Sequence, residues 1–405
     1  MTGAYRPDED RPVSTHRSGK KLNIICVAGW WPVNGSLAGI FIKEHVLAIA
    51  RLHHVEVVYL SVVRRNLPGL LIEHSVEDGI PVHRITISTP IRRFGVYDLL
   101  CTWAYRKILD RLSRKRKIDL VHVHVRTEET KNILPVAKKH GLPIVVTEHN
   151  TFYHRGIRKL EDRDRKMQIR AIHDWLNDAA IKAVMPVSKD LAVTLETDLG
   201  VPGSKLHVVP NIAADVFTYR QKPPIPPFVI LLAALWRDGK DHDVLLDSLK
   251  YLPKEQLGRL SIVWCGDGPN LGQIKERCRL EFSDVAMTFH GNVSKPRLAD
   301  EMMKAHLFVL PTTAENLPCV IIESLCTGTP VVSMQVNGVP ELVDASNGIL
   351  VPPSDARALA GAISRFMDAP NGLDGVRIAQ AARQRFSAGT IAGMIDRVYR
   401  DSLAD

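Results

Sequence analysis

Within the 405-residue chain, two glutamates, Glu315 and Glu323, stand in the stretch Leu310-Pro-Thr-Thr-Ala-Glu-Asn-Leu-Pro-Cys-Val-Ile-Ile-Glu-Ser-Leu-Cys-Thr-Gly-Thr-Pro-Val-Val332. Carboxylates are acceptor-only groups suited to gripping sugar or ribose hydroxyls. A glutamate pair at this spacing is common on solvated helices, but Val320, Ile321 and Ile322 between them point to a buried setting. An apolar run ends at Leu310, Pro318 falls where a first helical residue belongs, and Gly328 falls where a C-terminal cap belongs. The helix so bounded starts with unpaired N–H groups and the positive end of its dipole, a combination that suits a diphosphate. Gly39 closes a loop ahead of a helix and permits close backbone approach to phosphate. Glu148-His149-Asn150 follows the apolar run Ile144–Thr147, although a histidine after a strand is more often structural.

The elements that position these residues alternate regularly. Lys21–Ala28, Val55–Leu60, Leu120–Val125, Pro143–Thr147 and Ala183–Val187 read as strands, with a helix over Ile40–Leu52 after the first. Continuous Val/Ile runs separated by helices predict a parallel sheet covered on both faces, hence a doubly wound α/β domain over 21–219. Arg220-Gln-Lys-Pro-Pro-Ile-Pro-Pro227 has four prolines in five positions and reads as a stiff linker over 220–227. The alternation then restarts: strands at Val229–Leu235, Leu260–Cys265, Val285–His290, Leu307–Leu310 and Pro330–Ser333 predict a second Rossmann-like domain over 228–386. Helices are expected near Asp243–Lys250, Asn270–Glu281, Lys295–Lys304, Pro318–Cys326, 354–369 and 375–385. A final helix in 387–405 is expected to pack back toward the first domain. Two such domains facing each other leave a cleft lined by the carboxyl ends of both sheets, where ligands of open α/β sheets bind.

Composition narrows the class. The chain is 45% hydrophobic and 24% charged, the balance of an ordinary globular protein, and its length accommodates two or three domains. No apolar run approaches the ~20 residues of a membrane-spanning helix, and residues 1–20 read as a disordered polar tail without the apolar core of a secretory signal. The six cysteines lie far apart without a C-x-x-C pair, which reads as small buried residues in a reducing compartment rather than a zinc or disulfide framework. The net charge of +9 is uneven: Lys and Arg exceed Asp and Glu by 11 over residues 1–220 and fall short by 2 over 221–405. A basic first half implies an anionic partner for it: nucleic acid, an anionic membrane surface or a phosphorylated substrate.

The ordered set of motifs resembles the retaining glycosyltransferases of family 4, with the GT-B fold of two Rossmann-like domains, of the bacterial polysaccharide and lipopolysaccharide type. Glu315 and Glu323 match that family's E-x7-E motif, followed by Gly328-Thr-Pro-Val-Val332. Pro186-Val-Ser-Lys-Asp-Leu191, Val209-Pro-Asn-Ile212, Cys265-Gly-Asp-Gly-Pro269, Phe289-His-Gly-Asn-Val293, Asn337-Gly-Val-Pro-Glu-Leu-Val343 and Asn347-Gly-Ile-Leu-Val-Pro-Pro353 fall in the family's order, so the resemblance covers roughly residues 20–400.

The resemblance implies roles residue by residue. Glu315 contacts hydroxyls of the transferred sugar and Glu323 the nucleotide ribose; Asn316, Leu317 and Pro318 meet the sugar and phosphate. Gly266 and Gly268 form a turn near the nucleotide, Val293 lies near the base, Ala38-Gly39-Ile40 matches a Gly-Gly-Ile loop, and His149 matches the histidine that bonds the donor sugar. Many members carry Arg and, five residues later, Lys on the diphosphate. Lys240 fits the lysine, but Leu235 stands at the arginine. Arg237, two positions on, either substitutes for it or is a surface arginine; the sequence leaves both open.

The resulting expectation is a metal-independent enzyme without cofactor. It moves a UDP- or GDP-linked sugar to a glycan or polyprenyl-diphosphate-linked acceptor in cell-surface polysaccharide biosynthesis, with Glu315, His149, Lys240 and Arg237 catalytic. Asp162-Arg-Asp164 and Asp241-His-Asp243 imitate a D-x-D metal site, yet neither follows a strand as that site requires. Basic clusters at Arg92-Arg93, Arg111–Lys117 and Arg155–Arg170, interleaved with Phe94, Trp103, Tyr105, Phe152 and Tyr153, suit a peripheral face on an anionic membrane. That places the protein in the cytoplasm and on the inner face of the cell membrane, with no nucleic-acid partner. A catalytically lapsed partner subunit that binds nucleotide, and a sugar-nucleotide epimerase, remain as alternatives.

Overall fold

The computed structural model describes residues 19–33, 36–90, 95–154, 156–236 and 239–404, with the side chain of Arg158 set aside. Arg237, Arg92, Arg93, Phe94 and Arg155, and nearly all of the expected N-terminal tail, lie outside the described residues. The chain divides into two compact units, one of residues up to Pro210 together with Ile391–Asp405, the other Asn211–Thr390.

In the first unit the order is β1 (Asn23–Ala28), α1 (Ile40–Ala50), β2 (His54–Arg64), β3 (Gly69–Glu77), β4 (Ile80–Thr89) and α2 (Val96–Lys115). Then come β5 (Leu120–His124), α3 (Leu134–Lys139), β6 (Ile144–Glu148), α4 (Asp162–Leu176), β7 (Ile181–Pro186) and α5 (Lys189–Thr197). The sheet runs β3-β4-β2-β1-β5-β6-β7, parallel except for β3 on β4. The strand order reverses at β1, between β2 and β5, the place where an open α/β sheet forms its ligand crevice. β1, β5 and β6 are buried almost throughout, as a sheet covered on both faces requires.

The β3–β4 hairpin escaped the periodicity of the sequence. Asp78 and Gly79 at its turn have φ of 48° and 81°, the pair of positive values that an Asp-Gly hairpin turn supplies. That dipeptide was the available signal. The outer strand β3 is mostly exposed, so the apolar run that marks the other strands is missing there.

The second unit contains β8 (Phe228–Ala233), α6 (His242–Leu249), α7 (Lys254–Leu257), β9 (Leu260–Cys265), α8 (Leu271–Glu281), β10 (Ala286–Gly291) and α9 (Lys295–Lys304). It continues with β11 (Leu307–Leu310), α10 (Cys319–Cys326), β12 (Val331–Met334), β13 (Gly348–Val351), α11 (Ala356–Asp368) and α12 (Gly375–Phe386). Its sheet is parallel throughout, in the order β10-β9-β8-β11-β12-β13, and reverses at β8 between β9 and β11. Trp236, Trp264, Phe228, Ile230 and Leu246 lie in its core.

The proline segment is not the boundary between the units. The division falls at Pro210, and residues 211–227 are strapped to the second unit. Phe217 is fully buried, the Arg383 guanidinium donates to its carbonyl at 2.8 Å, and the Ala213 amide donates to Phe386 at 3.1 Å. Lys222 donates to the carbonyls of Met302 and Met303 at 3.0 and 3.3 Å and to Thr327 at 3.4 Å, closing the C-terminal ends of α9 and α10. Extended proline segments lie well against a surface, and buried anchors on this one hold it there.

The last helix, α13 (Ala388–Ala404), belongs from Ile391 onward to the first unit. The Tyr399 hydroxyl pairs with His122 Nδ1 at 2.6 Å, and Asp396 lies 3.0 Å from His53 Nε2. Five of the six cysteines are buried and Cys319 is half-buried; all six are free thiols. No helix among the described residues is long and apolar enough to cross a membrane.

Candidate active site

In the second unit, the loops that leave β8 and β11 meet beyond the strand ends, at the reversal of strand order. The Thr313 amide and Thr312 hydroxyl both donate to the Gly239 carbonyl, at 3.1 and 2.9 Å, tying the two loops together. Lys240 from the first and Glu315 from the second form an ion pair between Nζ and Oε1, with side chains only 15% and 13% exposed. Glu315 leads directly into buried Asn316, Leu317 and Pro318, and the Asn211 amide fixes this turn by donating to the Leu317 carbonyl at 2.7 Å.

α10 then begins. Pro318 is its N-cap, with ψ 116°, rather than its first helical residue, so the helical amides begin at Cys319, and those of Ile321 and Ile322 donate to the Pro318 carbonyl at 3.1 and 3.4 Å. Glu323 sits further along α10, 5% exposed. The helix ends as the sequence signals: Gly328 has φ 73°, its amide donates to Leu325 at 2.9 Å, and Thr329 donates to Ser324 at 3.1 Å. This pair of bonds satisfies carbonyls of the last turn and fixes where α10 stops.

Gly266 and Gly268 lie in the turn after β9, with φ of 116° and 155°. A Cβ at Gly266 would strike the Ala234 carbonyl and one at Gly268 the Trp236 carbonyl. Both glycines thus admit the neighbouring loop after β8, the one that carries Lys240. Val293 is half-buried in the loop between β10 and α9. Leu235, at the place of the expected arginine, is 42% exposed.

The D-x-D look-alikes are helix starts. Asp162 and Asp164 occupy the first turn of α4. Asp241 precedes α6, His242 stacks on Trp236 with ring centroids 4.3 Å apart, and Asp243 pairs with Arg277 at 2.7 Å. Burial lowers the His242 pKa to about 4.

In the first unit, Gly39 is the N-cap of α1 with φ 76°, and a Cβ there would strike the Trp30 carbonyl. His149 follows β6, 9% exposed, with its ring 4.6 Å from Phe41 on α1. Its ring also lies 5.3 Å from His45 and 6.1 Å from His124, two buried histidines that the motifs did not indicate. His45 stood on an apolar helix face and His124 in an apolar strand, where a lone histidine reads as core. The alternation His122-Val-His124 was the usable signal, since it puts both rings on one face of β5. Burial pushes His45 down to about 4 and His122 to about 3. Next to His149, Glu148 is fully buried; burial pushes its carboxyl up to about 7, against the Arg126 amide and Tyr153 hydroxyl that donate to Oε1 at 2.9 and 2.8 Å.

Two residues expected on a membrane face are core instead: Tyr105 is fully buried on α2, and Tyr153 is 3% exposed with its hydroxyl on Glu148. Trp103 is 47% exposed and Lys107 lies 5.2 Å over its ring.

Comparison with known proteins places this geometry. Residues 38–213 match the family described as Glycosyltransferase Family 4, and residues 226–369 match Glycosyl transferases group 1. A D-inositol 3-phosphate glycosyltransferase of Streptomyces griseus is 39% identical over 136 residues, a stretch that spans 33% of this chain and 29% of that relative. The MMP α-(1→4)-mannosyltransferase of Mycolicibacterium hassiacum is 26% identical over 295 residues, 67% of this chain and 68% of the relative. The crystal structure of Anabaena HepE in complex with UDP superposes with a TM-score of 0.70 at 17% identity, covering 94% of this chain and 100% of that one. The chain belongs to the family 4 glycosyltransferases and has their GT-B fold.

Proposed function

We propose that the chain transfers a sugar from a UDP- or GDP-linked donor to a glycan or polyprenyl-diphosphate-linked acceptor, with retention of configuration and without a metal. The observation that carries this is the Lys240–Glu315 pair beside the start of α10, at the reversal of strand order. A cation, a carboxylate and the positive end of the α10 dipole meet there, which is what a sugar diphosphate presents partners for. On donor binding, Lys240 exchanges the Glu315 carboxylate for the diphosphate, and Glu315 turns to the sugar hydroxyls. Charge that grows on the departing diphosphate is then stabilised by the ammonium and the positive end of the α10 dipole, already in place. Glu323 holds the ribose and His149 orients the sugar. Arg237 supplies a second cation in place of the arginine replaced by Leu235. Gly266, Gly268 and Val293 shape the donor site of the second unit, Gly39 in the first unit allows close backbone approach to phosphate, and no protein nucleophile is needed because the acceptor attacks from the leaving-group side.

The first unit takes the acceptor. Its α2 exposes Val96, Leu99 and Trp103, then Arg106, Lys107, Arg111, Arg114 and Lys115, an apolar patch continued by a basic one. Such a face suits an anionic membrane, where a lipid-linked acceptor of a cell-surface polysaccharide or lipopolysaccharide would lie. The experiment is a panel of nucleotide sugars with a lipid-linked acceptor in the presence of chelator. Release of nucleoside diphosphate with an α-linked product from an α-linked donor supports the reading. Binding of nucleotide without release under any donor would favour the lapsed subunit that Leu235 suggests.

A further inference from the structure

We propose that His45, His124 and His149 form a binding site for a late transition-metal cation such as Zn2+, and that an ion bound there withdraws His149 from the donor sugar. The three imidazoles come from α1, β5 and the loop after β6, and their nearest ring nitrogens all lie within 4.8 Å of one another. Both ring nitrogens of His124 are buried without a hydrogen-bond partner. A neutral imidazole carries one donor and one lone pair, and leaving them buried and unmatched costs stability that a ligated ion would recover in part.

The donor set selects the ion. Three imidazoles without a carboxylate favour zinc, copper or nickel over magnesium or calcium, which take oxygen ligands. Tetrahedral zinc with Zn–N of about 2.1 Å puts ligand nitrogens about 3.4 Å apart. A contraction of at most roughly 1.4 Å therefore closes the site. His149, the least buried of the three, sits on the loop after β6.

A second set, Cys26, His122 and His124, is equally compact. There, however, His122 is engaged at both nitrogens, Nδ1 with the Tyr399 hydroxyl at 2.6 Å and Nε2 with Thr147 at 2.7 Å. Those bonds leave His124 to the upper set.

The inhibitory half of the proposal rests on His149 contacting the sugar; the binding half does not. The test uses the full chain with Co2+ as optical probe and Zn2+ for calorimetry. One equivalent per chain with a tetrahedral cobalt spectrum is expected, together with loss of transfer that chelator restores. His45→Phe and His124→Leu should each abolish the cobalt spectrum, and His45→Phe should keep its metal-free transfer in the presence of Zn2+. Absence of stoichiometric binding, binding unchanged in both folded variants, or binding lost only in Cys26→Ser would overturn the site. Stoichiometric binding with transfer unchanged would overturn the link to His149 and leave the site standing.

Discussion

Lys240 and Glu315, 75 residues apart in the chain, are joined in one ion pair across the two loops that leave neighbouring strands of the second sheet. Both charges are largely withdrawn from water, so neither can be removed without leaving the other poorly compensated. On the proposed reading the pair holds two groups of opposite tasks toward one diphosphate sugar. Glu315→Gln should therefore release Lys240: free nucleoside diphosphate binds more tightly while kcat falls by ~10² or more. Calorimetry with the free nucleotide, set beside steady-state kinetics, separates the two effects. Weaker nucleotide binding in this variant would contradict the exchange of partners.

On the proposed reading Glu323 holds the other part of the donor. Its carboxylate is buried on α10, and losing a charged acceptor on the ribose should cost about 1.5–3 kcal/mol. Glu323→Ala is expected to weaken nucleotide affinity by ~10–100-fold on that basis, with kcat at saturation changed far less. Unchanged affinity in a folded variant would remove Glu323 from the donor site.

Much of this was legible in the sequence, for physical reasons. Glu315, Pro318 and Gly328 bracket a helix whose caps are set by local chemistry, and the structure moves its start by one position only. The Lys240–Glu315 pair was not legible, because no local rule reports which loops of a parallel sheet lie side by side. Nor was the strap over 211–227, where proline composition reads as a connector and the anchors Phe217 and Lys222 are seen only once folded. The buried His45 and His124 were hidden by their apolar neighbours.

Gly266 tests the scaffold under Lys240. At φ 116° a side chain is strained, and its Cβ would enter the Ala234 carbonyl. Gly266→Ala should destabilise by at least ~1–3 kcal/mol, visible as a lowered Tm, and should reduce donor affinity through the displaced loop. A variant with parental Tm would show that the turn relaxes freely.

Glu148 gives the first unit a pH signature. Its carboxyl titrates near 7 when folded, against 4.5 for the free group, so between those values the folded state binds more protons than the unfolded one. Its contribution to stability is full below about 4.5 and is lost as pH rises through about 7. Glu148→Gln, neutral throughout, should match the parent near pH 4.5 and exceed its Tm increasingly toward pH 8. A Tm difference independent of pH would contradict this.

The most direct test of the central claim is nucleoside-diphosphate release coupled to product formation, in chelator, with the best donor of a nucleotide-sugar panel, comparing the parent with Lys240→Ala and Arg237→Ala. The account predicts turnover by the parent without metal and a loss of ~10²–10³ in kcat for Lys240→Ala, the typical cost of removing one electrostatic stabiliser. Arg237→Ala should lose a similar factor if its guanidinium replaces the arginine absent at Leu235. Parental kcat in a folded Lys240→Ala variant, or turnover that appears only on adding manganese or magnesium, would contradict the account.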